Sequence, residues 1–141
     1  MNNLPCVLID TNVILDLLLE RAAFIDEAQR LNDRVEAGAC RAMLCATTVT
    51  TIDYLARKQL GSAAARRAVS ALLSLYDIAA VTRATLHQAL ASDMPDFEDA
   101  VLAHSAHQSG AQAIVTRNLR DFAKSPVRAY TPAQFLALQA L

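Results

Sequence analysis

Apolar and polar positions follow two rhythms along this chain. Cys6 to Ile9 form an unbroken apolar run, "CVLI", as expected of a strand buried on both faces. After Asp10, Thr11 and Asn12, "VILDLLLE" takes up helical spacing. "RAAFIDEAQRLNDRVEAGAC" sets Phe24, Ala28, Leu31 and Val35 at steps of three and four, predicting an amphipathic helix that ends near Gly38. "RAMLCAT" reads as a second strand. Thr47 or Thr48 is then placed to cap a helix carrying Ile52, Leu55 and Ala56. Gly61 breaks that helix and Ser62 is placed to cap "AAARRAVSALLSLY". "DIAAVT" predicts a third strand, with Thr82 capping "RATLHQALAS". Pro95-Asp96 opens a helix through Gln108 that stops at Gly110, and "QAIVT" follows as a fourth strand. "VRAYT" is the candidate for a fifth, before Thr131-Pro132 starts a last helix, "PAQFLALQAL".

Strands alternating with helices imply a parallel sheet with helical crossovers on both faces. The expected fold is therefore α/β, a three-layer α/β/α sandwich around a parallel sheet of four to five strands. With no repeat, linker or low-complexity tract, residues 1–141 read as a single domain with room for one real core. In such sheets, sites form beyond the carboxyl ends of strands, where strand order reverses. Asp10 and Thr116 each end a predicted strand.

Composition removes several function classes. No apolar run reaches the ~18–20 residues of a membrane span. "MNNLPC" has no basic leader region, so no secretory signal is expected. Cys6, Cys40 and Cys45 are odd in number and lack metal-site spacing, which fits reduced packing cysteines of a cytoplasmic protein. The net charge of −1 leaves nucleic-acid binding to a local basic patch or to metal ions. His87, His104 and His107 form no HExxH, and three glycines cannot build a glycine-rich phosphate cradle.

What remains is acidic. Asp10, Asp53, Asp99 and Asp121 come from separate segments that the predicted fold can gather at one sheet edge. Each also has a plain structural reading. Asp10 can cap the following helix. Asp53 can be an ordinary, partly exposed acid. Asp96 can cap its helix, with Asp99 three residues on as in a capping box and favoured by the helix dipole. Asn118 can cap a short turn with Asp121 in its first turn. Asp16, inside a helical run, has no partner visible in sequence and reads as solvated or structural. Packed together, such carboxylates would repel one another unless a cation neutralised them. Hard divalent ions prefer all-oxygen sites, and a metal there activates water against a phosphodiester.

The motifs "LIDTNVILDLLLER", "TTIDYLARK", "PDFEDAVLAHSA", "AIVTRNLRDF" and "YTPAQFLA" resemble, in order, a PIN domain of the bacterial VapC-like type over about residues 5 to 138. That resemblance implies a Mg²⁺- or Mn²⁺-dependent endoribonuclease. It further implies the toxin of a type II toxin–antitoxin pair, a homodimer blocked by a cognate antitoxin. Carried over by position, Asp10, Asp53 and Asp99 would be metal ligands, with Asp121 completing the acidic set. Asp53 stands where the family usually has Glu, one methylene shorter. Asn118 stands where many members have an acid, leaving Asn118 or Asp121 to reach the metal, and Asp96 matches a frequent companion. Thr11, Asn12 and Thr116 match positions that hydrogen-bond around the acids and orient them. Arg57, Lys58, Arg117 and Arg120 flank the proposed edge as phosphate contacts or as solvated charges.

Two rivals stand beside this reading. One is a PIN-like binding subunit that is catalytically weak or inactive, for which the Asp53 and Asn118 departures speak. The other is a phospho-accepting signalling domain. It would need its acceptor at a strand end and a second early acid, whereas Asp53 is predicted in a helix and Asn12 breaks a DxD. "LLSLY" and the greasy last helix fit a dimer or partner groove and core packing equally well.

Overall fold

In the computed structural model, which describes residues 4–140, the alternating pattern becomes a five-stranded sheet. Residues 1–3 and 141 lie outside the described residues, and with them half of the "MNNLPC" start and the last residue of the final predicted helix. The strands are β1 (Cys6–Ile9), β2 (Arg41–Cys45), β3 (Asp77–Ala79), β4 (Ala113–Val115) and β5 (Ala129–Tyr130). The helices are α1 (Thr11–Leu18), α2 (Ile25–Glu36), α3 (Ala46–Leu60), α4 (Ser62–Leu75), α5 (Arg83–Ala91), α6 (Phe97–Gln108) and α7 (Pro132–Gln139). Strand order is β3-β2-β1-β4-β5, and every pairing is parallel. Among the described residues no helix is long and apolar enough to cross a membrane.

The two-residue period of the strands divides the core. Val7, Ile9, Ala42, Leu44, Ala113 and Val115 face one layer, filled by α1, α2, α3, α4 and α7 through residues such as Leu15, Leu31, Ile52, Leu72 and Phe135. Leu8, Met43, Cys45, Ala79 and Ile114 face the other, where α5 and α6 contribute Ala89, Val101, Leu102 and Ala106. Strands covered on both sides have no polar alternation to show, which is why "CVLI" and "AIV" are apolar throughout. Three layers result, as the alternation of elements implied.

Most boundaries follow local chemistry. Thr82 and Thr131 cap α5 and α7 in reciprocal boxes with Thr85 and Gln134, and Asp96 caps α6 by accepting the Asp99 N–H at 2.9 Å. Gly38 (φ 76°) ends α2 and Gly110 (φ 80°) ends α6. In each case the next residue's N–H returns to the helix, Ala39 to the Arg34 carbonyl and Ala111 to the Ala106 carbonyl, both at 2.9 Å. Three expectations are corrected. Neither Thr47 nor Thr48 caps α3, because the helix begins at Ala46 directly off β2; the Thr48 hydroxyl instead donates to the Cys45 carbonyl at 2.9 Å. Ser62 is already helical, since Gly61 (φ 87°) turns the chain and takes the cap position. The third strand pairs only over Asp77–Ala79, leaving Ala80 to Thr82 as an approach to α5.

A candidate acidic active site at the strand switch

Strand order reverses between β1 and β4, the place where an open parallel sheet leaves a crevice at its carboxyl edge. Asp10 and Thr116 stand on the two sides of it. The Asp10 N–H donates to the Val115 carbonyl at 2.9 Å, continuing the β1–β4 ladder to its last rung. Its carboxylate then does two things. Oδ1 accepts the Thr11 N–H at 2.8 Å, capping α1, and Oδ2 accepts the Thr116 hydroxyl at 2.8 Å. Capping and orientation across the crevice are thus one geometry rather than rival roles. Thr116 is wholly buried and its Oγ1 also accepts the Asn118 N–H at 3.0 Å, so one hydroxyl ties β1 to the turn that follows β4.

The other acids arrive from α6 and that turn. Asp99 lies in the first turn of α6, and Asp121 in the 3-10 turn Leu119–Phe122, where its N–H donates to the Asn118 carbonyl at 3.0 Å. Burial, followed by the charges of Asp96, Asp10, Asp121 and Glu98, pushes the Asp99 carboxyl up to about 7. Burial also raises Asp10. Its bonds from Thr116 and Thr11 oppose the rise, and Asp121 and Glu98 add to it. Asp10, Asp96, Asp99 and Asp121, gathered in the sequence reading, therefore lie in one another's field. Glu98 belongs with them although no role was assigned to it; its place beside Asp99 in α6 was the available signal.

Other candidates are placed differently. Asp53 sits two turns into α3, half-exposed, and its Oδ2 accepts from Arg57 Nε at 3.0 Å. Its helical position removes the strand-end acceptor a phospho-accepting domain would need. Arg57 is accordingly engaged by a carboxylate, and the Lys58 ammonium lies 5.2 Å from the Tyr54 ring centre. Thr11 orients Asp10 through its backbone N–H, not its hydroxyl. Among the described residues Asn12 makes no side-chain bond to an acid, and Asn118 takes the cap position of its turn without a side-chain bond. Arg120 is exposed and has no carboxylate partner among the described residues.

Asp16, expected to be solvated or structural, takes the second role with partners that its helix does not supply. It is 1% exposed, so it is structural rather than solvated. Arg117 grips it in a fork, Nε to Oδ2 at 2.7 Å and Nη2 to Oδ1 at 3.2 Å, and Arg21 Nη1 reaches Oδ1 at 3.2 Å. The Arg117 guanidinium also lies 3.9 Å from the Phe24 ring centre. Arg117 is thus a counter-ion to Asp16 rather than a merely solvated charge. Burial of Asp16 forces the pairing, since an unpaired carboxylate there would be costly.

The chemistry of the donor set, all carboxylate oxygen under mutual repulsion, matches a hard divalent cation. Among the described residues no three His, Cys, Asp or Glu side chains converge closely enough to enclose an ion as they stand.

The sequence profile of the PIN domain matches residues 6–120 of this chain. No curated protein sequence matches it. Among solved structures, a chain of VapBC2 from Rickettsia felis, bound to a DNA fragment from its promoter, superposes with TM-score 0.71 at 13% identity, over 89% of this chain and 98% of that one. FitAcB from Neisseria gonorrhoeae gives 0.69 at 21%, over 90% and 98%. VapC20 from Mycobacterium tuberculosis, a sarcin-ricin loop cleaving toxin, gives 0.62 at 21%, over 77% and 86%. At these identities the neighbours speak for the fold alone, the parallel α/β sheet described above. With its profile matched across most of its length, the chain belongs to the PIN domain family.

Proposed function

We propose that this protein is a Mg²⁺- or Mn²⁺-dependent endoribonuclease and the toxin of a type II toxin–antitoxin pair. The observation that carries the reading is the buried Asp10, held at the strand switch by the Thr11 N–H and the Thr116 hydroxyl, with acids of α6 and of the turn after β4 in its field. Repulsion of that kind is relieved by a cation. Asp10 and Asp99 would hold it, with Asp121 completing the acidic set and Asp96 and Glu98 adding negative potential. When bound, the ion acidifies water and neutralises charge on a phosphodiester. Thr116 keeps the Asp10 carboxylate in one orientation, and burial keeps solvent from competing for it. Asp53 can join only by exchanging Arg57 for the ion, so its contribution is the weakest of the four.

RNA as a single strand or an exposed loop is the substrate class that lets a backbone enter such a crevice. VapC20, similar in fold, is a sarcin-ricin loop cleaving toxin. Arg120 is the basic residue best placed to meet phosphate, being exposed and next to Asp121. One fold neighbour, from Klebsiella pneumoniae, is a toxin–antitoxin complex, which supports a cognate antitoxin as partner. A homodimer and a reducing, cytoplasmic setting complete the proposal, the latter supported by three free cysteines.

The test is cleavage of a mixed RNA pool by wild type and Asp10→Asn in EDTA, Mg²⁺ and Mn²⁺. Metal-dependent cutting that is lost in the variant is expected. RNA left intact in every condition, with no Mn²⁺ binding by calorimetry, would overturn the nuclease. It would favour a PIN-like binding subunit, a reading to which the Asp53–Arg57 pair already lends weight.

A further inference from the structure

The buried Asp16 ion pair repeats, about one and two-thirds turns along α1, a connection that Asp10 already makes. Asp10 at the cap of α1 bonds Thr116, and Asp16 within α1 grips Arg117, the very next residue. The two anchors are six positions apart along α1, about 9 Å on its axis. A single bond fixes a point, whereas two bonds at that spacing fix the orientation of α1 against the exit of β4. That exit leads directly into the turn bearing Asn118 and Asp121. Phe24 covers the Arg117 guanidinium, so the fork is held from a third side.

The geometry points to Asp16 and Arg117 as positioning residues that set the place of Asp121 relative to Asp10. Neither residue touches substrate in this proposal, and it rests on the nuclease reading above. Arg21 supplies an internal control. It pairs with the same carboxylate, but from five residues along the chain, and so contributes charge to Asp16 without linking α1 to β4. A purely structural ion pair would make both arginines matter alike. A clamp makes only Arg117 matter for turnover.

The experiment compares Arg117→Lys, Asp16→Asn, their double variant and Arg21→Gln with wild type. Mn²⁺-supported cleavage of an RNA oligonucleotide gives kcat and KM, and hydrogen exchange is followed without metal at the Asn118 and Asp121 amides. Arg117→Lys and Asp16→Asn are each expected to lower kcat on the order of 10- to 100-fold, as loss of groups that orient ligands does, with KM unchanged. The double variant should be no slower than the worse single one, because both break one link. Arg21→Gln should turn over as wild type does. The two protected amides should exchange faster in Arg117→Lys. Unchanged kcat in folded Arg117→Lys, or an equal loss in Arg21→Gln, overturns the clamp. So does a lower KM in Asp16→Asn, which would mean that Arg117, once released, binds phosphate. Should Asp16→Asn not fold, Arg117→Lys carries the test alone. If wild type itself leaves RNA intact, the nuclease reading fails and exchange decides the clamp: faster exchange in Arg117→Lys upholds it, and equal exchange overturns it.

Discussion

Replacing Asp99 with Asn should stabilise the metal-free protein, and the gain should depend on pH. The Asp99 carboxyl lies at about 7 in the fold against an ordinary value of 3.8. The first turn of a helix favours an anion, so burial and four neighbouring acids must outweigh that preference. Between those two values the folded state holds a proton that the unfolded state has released. Stability therefore falls as pH rises from about 4 to about 7. At ~1.36 kcal/mol per pH unit the gap has a ceiling of ~4 kcal/mol. Asp99 is only partly buried, and water reaching it reduces this to about 1–2 kcal/mol. Asn carries no charge and, among the described residues, no side chain hydrogen-bonds to the Asp99 carboxyl that would lose a partner. In EDTA at pH 8 the variant should melt about 3–6 °C above wild type. At pH 4 the two should coincide. Thermal or urea unfolding at several pH values reads this directly. Equal stability at pH 8, or an unchanged pH slope, would refute the idea that these acids repel one another.

Other substitutions probe the remaining links. Thr116→Val keeps the shape but strips a donor from Asp10 and an acceptor from the Asn118 N–H; urea denaturation should show a loss of about 1–3 kcal/mol. Asp16→Ala leaves two guanidinium groups without their carboxylate. Both arginines are partly exposed, so a loss near the lower end of the range for broken buried pairs, ~3 kcal/mol, is expected in the same assay. Asp53→Asn breaks only an i,i+4 pair on α3 and should change stability by about 0.5 kcal/mol or less. A large fall in Mn²⁺ affinity in that variant, read by calorimetry, would show that Asp53 leaves Arg57 to become a ligand.

Elements whose causes lie within a turn were legible in the sequence. The caps at Thr82, Asp96 and Thr131 and the glycine stops at Gly38 and Gly110 depend on neighbours at most five residues away, and the buried strands announce themselves as unbroken apolar runs. Local spacing failed where a junction was shorter than the pattern allowed, as at Ala46, where α3 leaves β2 without a loop for a threonine to cap. Of the site, the carboxyl-edge position of Asp10 was legible, because a polar residue ending an apolar run marks where a strand leaves the core.

Partnership among those side chains was not legible. Placing β1 beside β4 brings Asp10 to Thr116 and Asp16 to Arg117, pairs separated by 106 and 101 residues. The same folding sets Asp99 in the field of Asp10 and Asp121, whereas Asp53 meets Arg57 through local i,i+4 spacing on α3. The amino-acid sequence by itself determined the elements, their order and which acids end them, since these rest on short-range hydrogen bonds and periodic burial. Only the tertiary structure decided which carboxylates repel, which are neutralised and which arginine is already spent, because electrostatic pairing depends on distance in space and on how much water lies between.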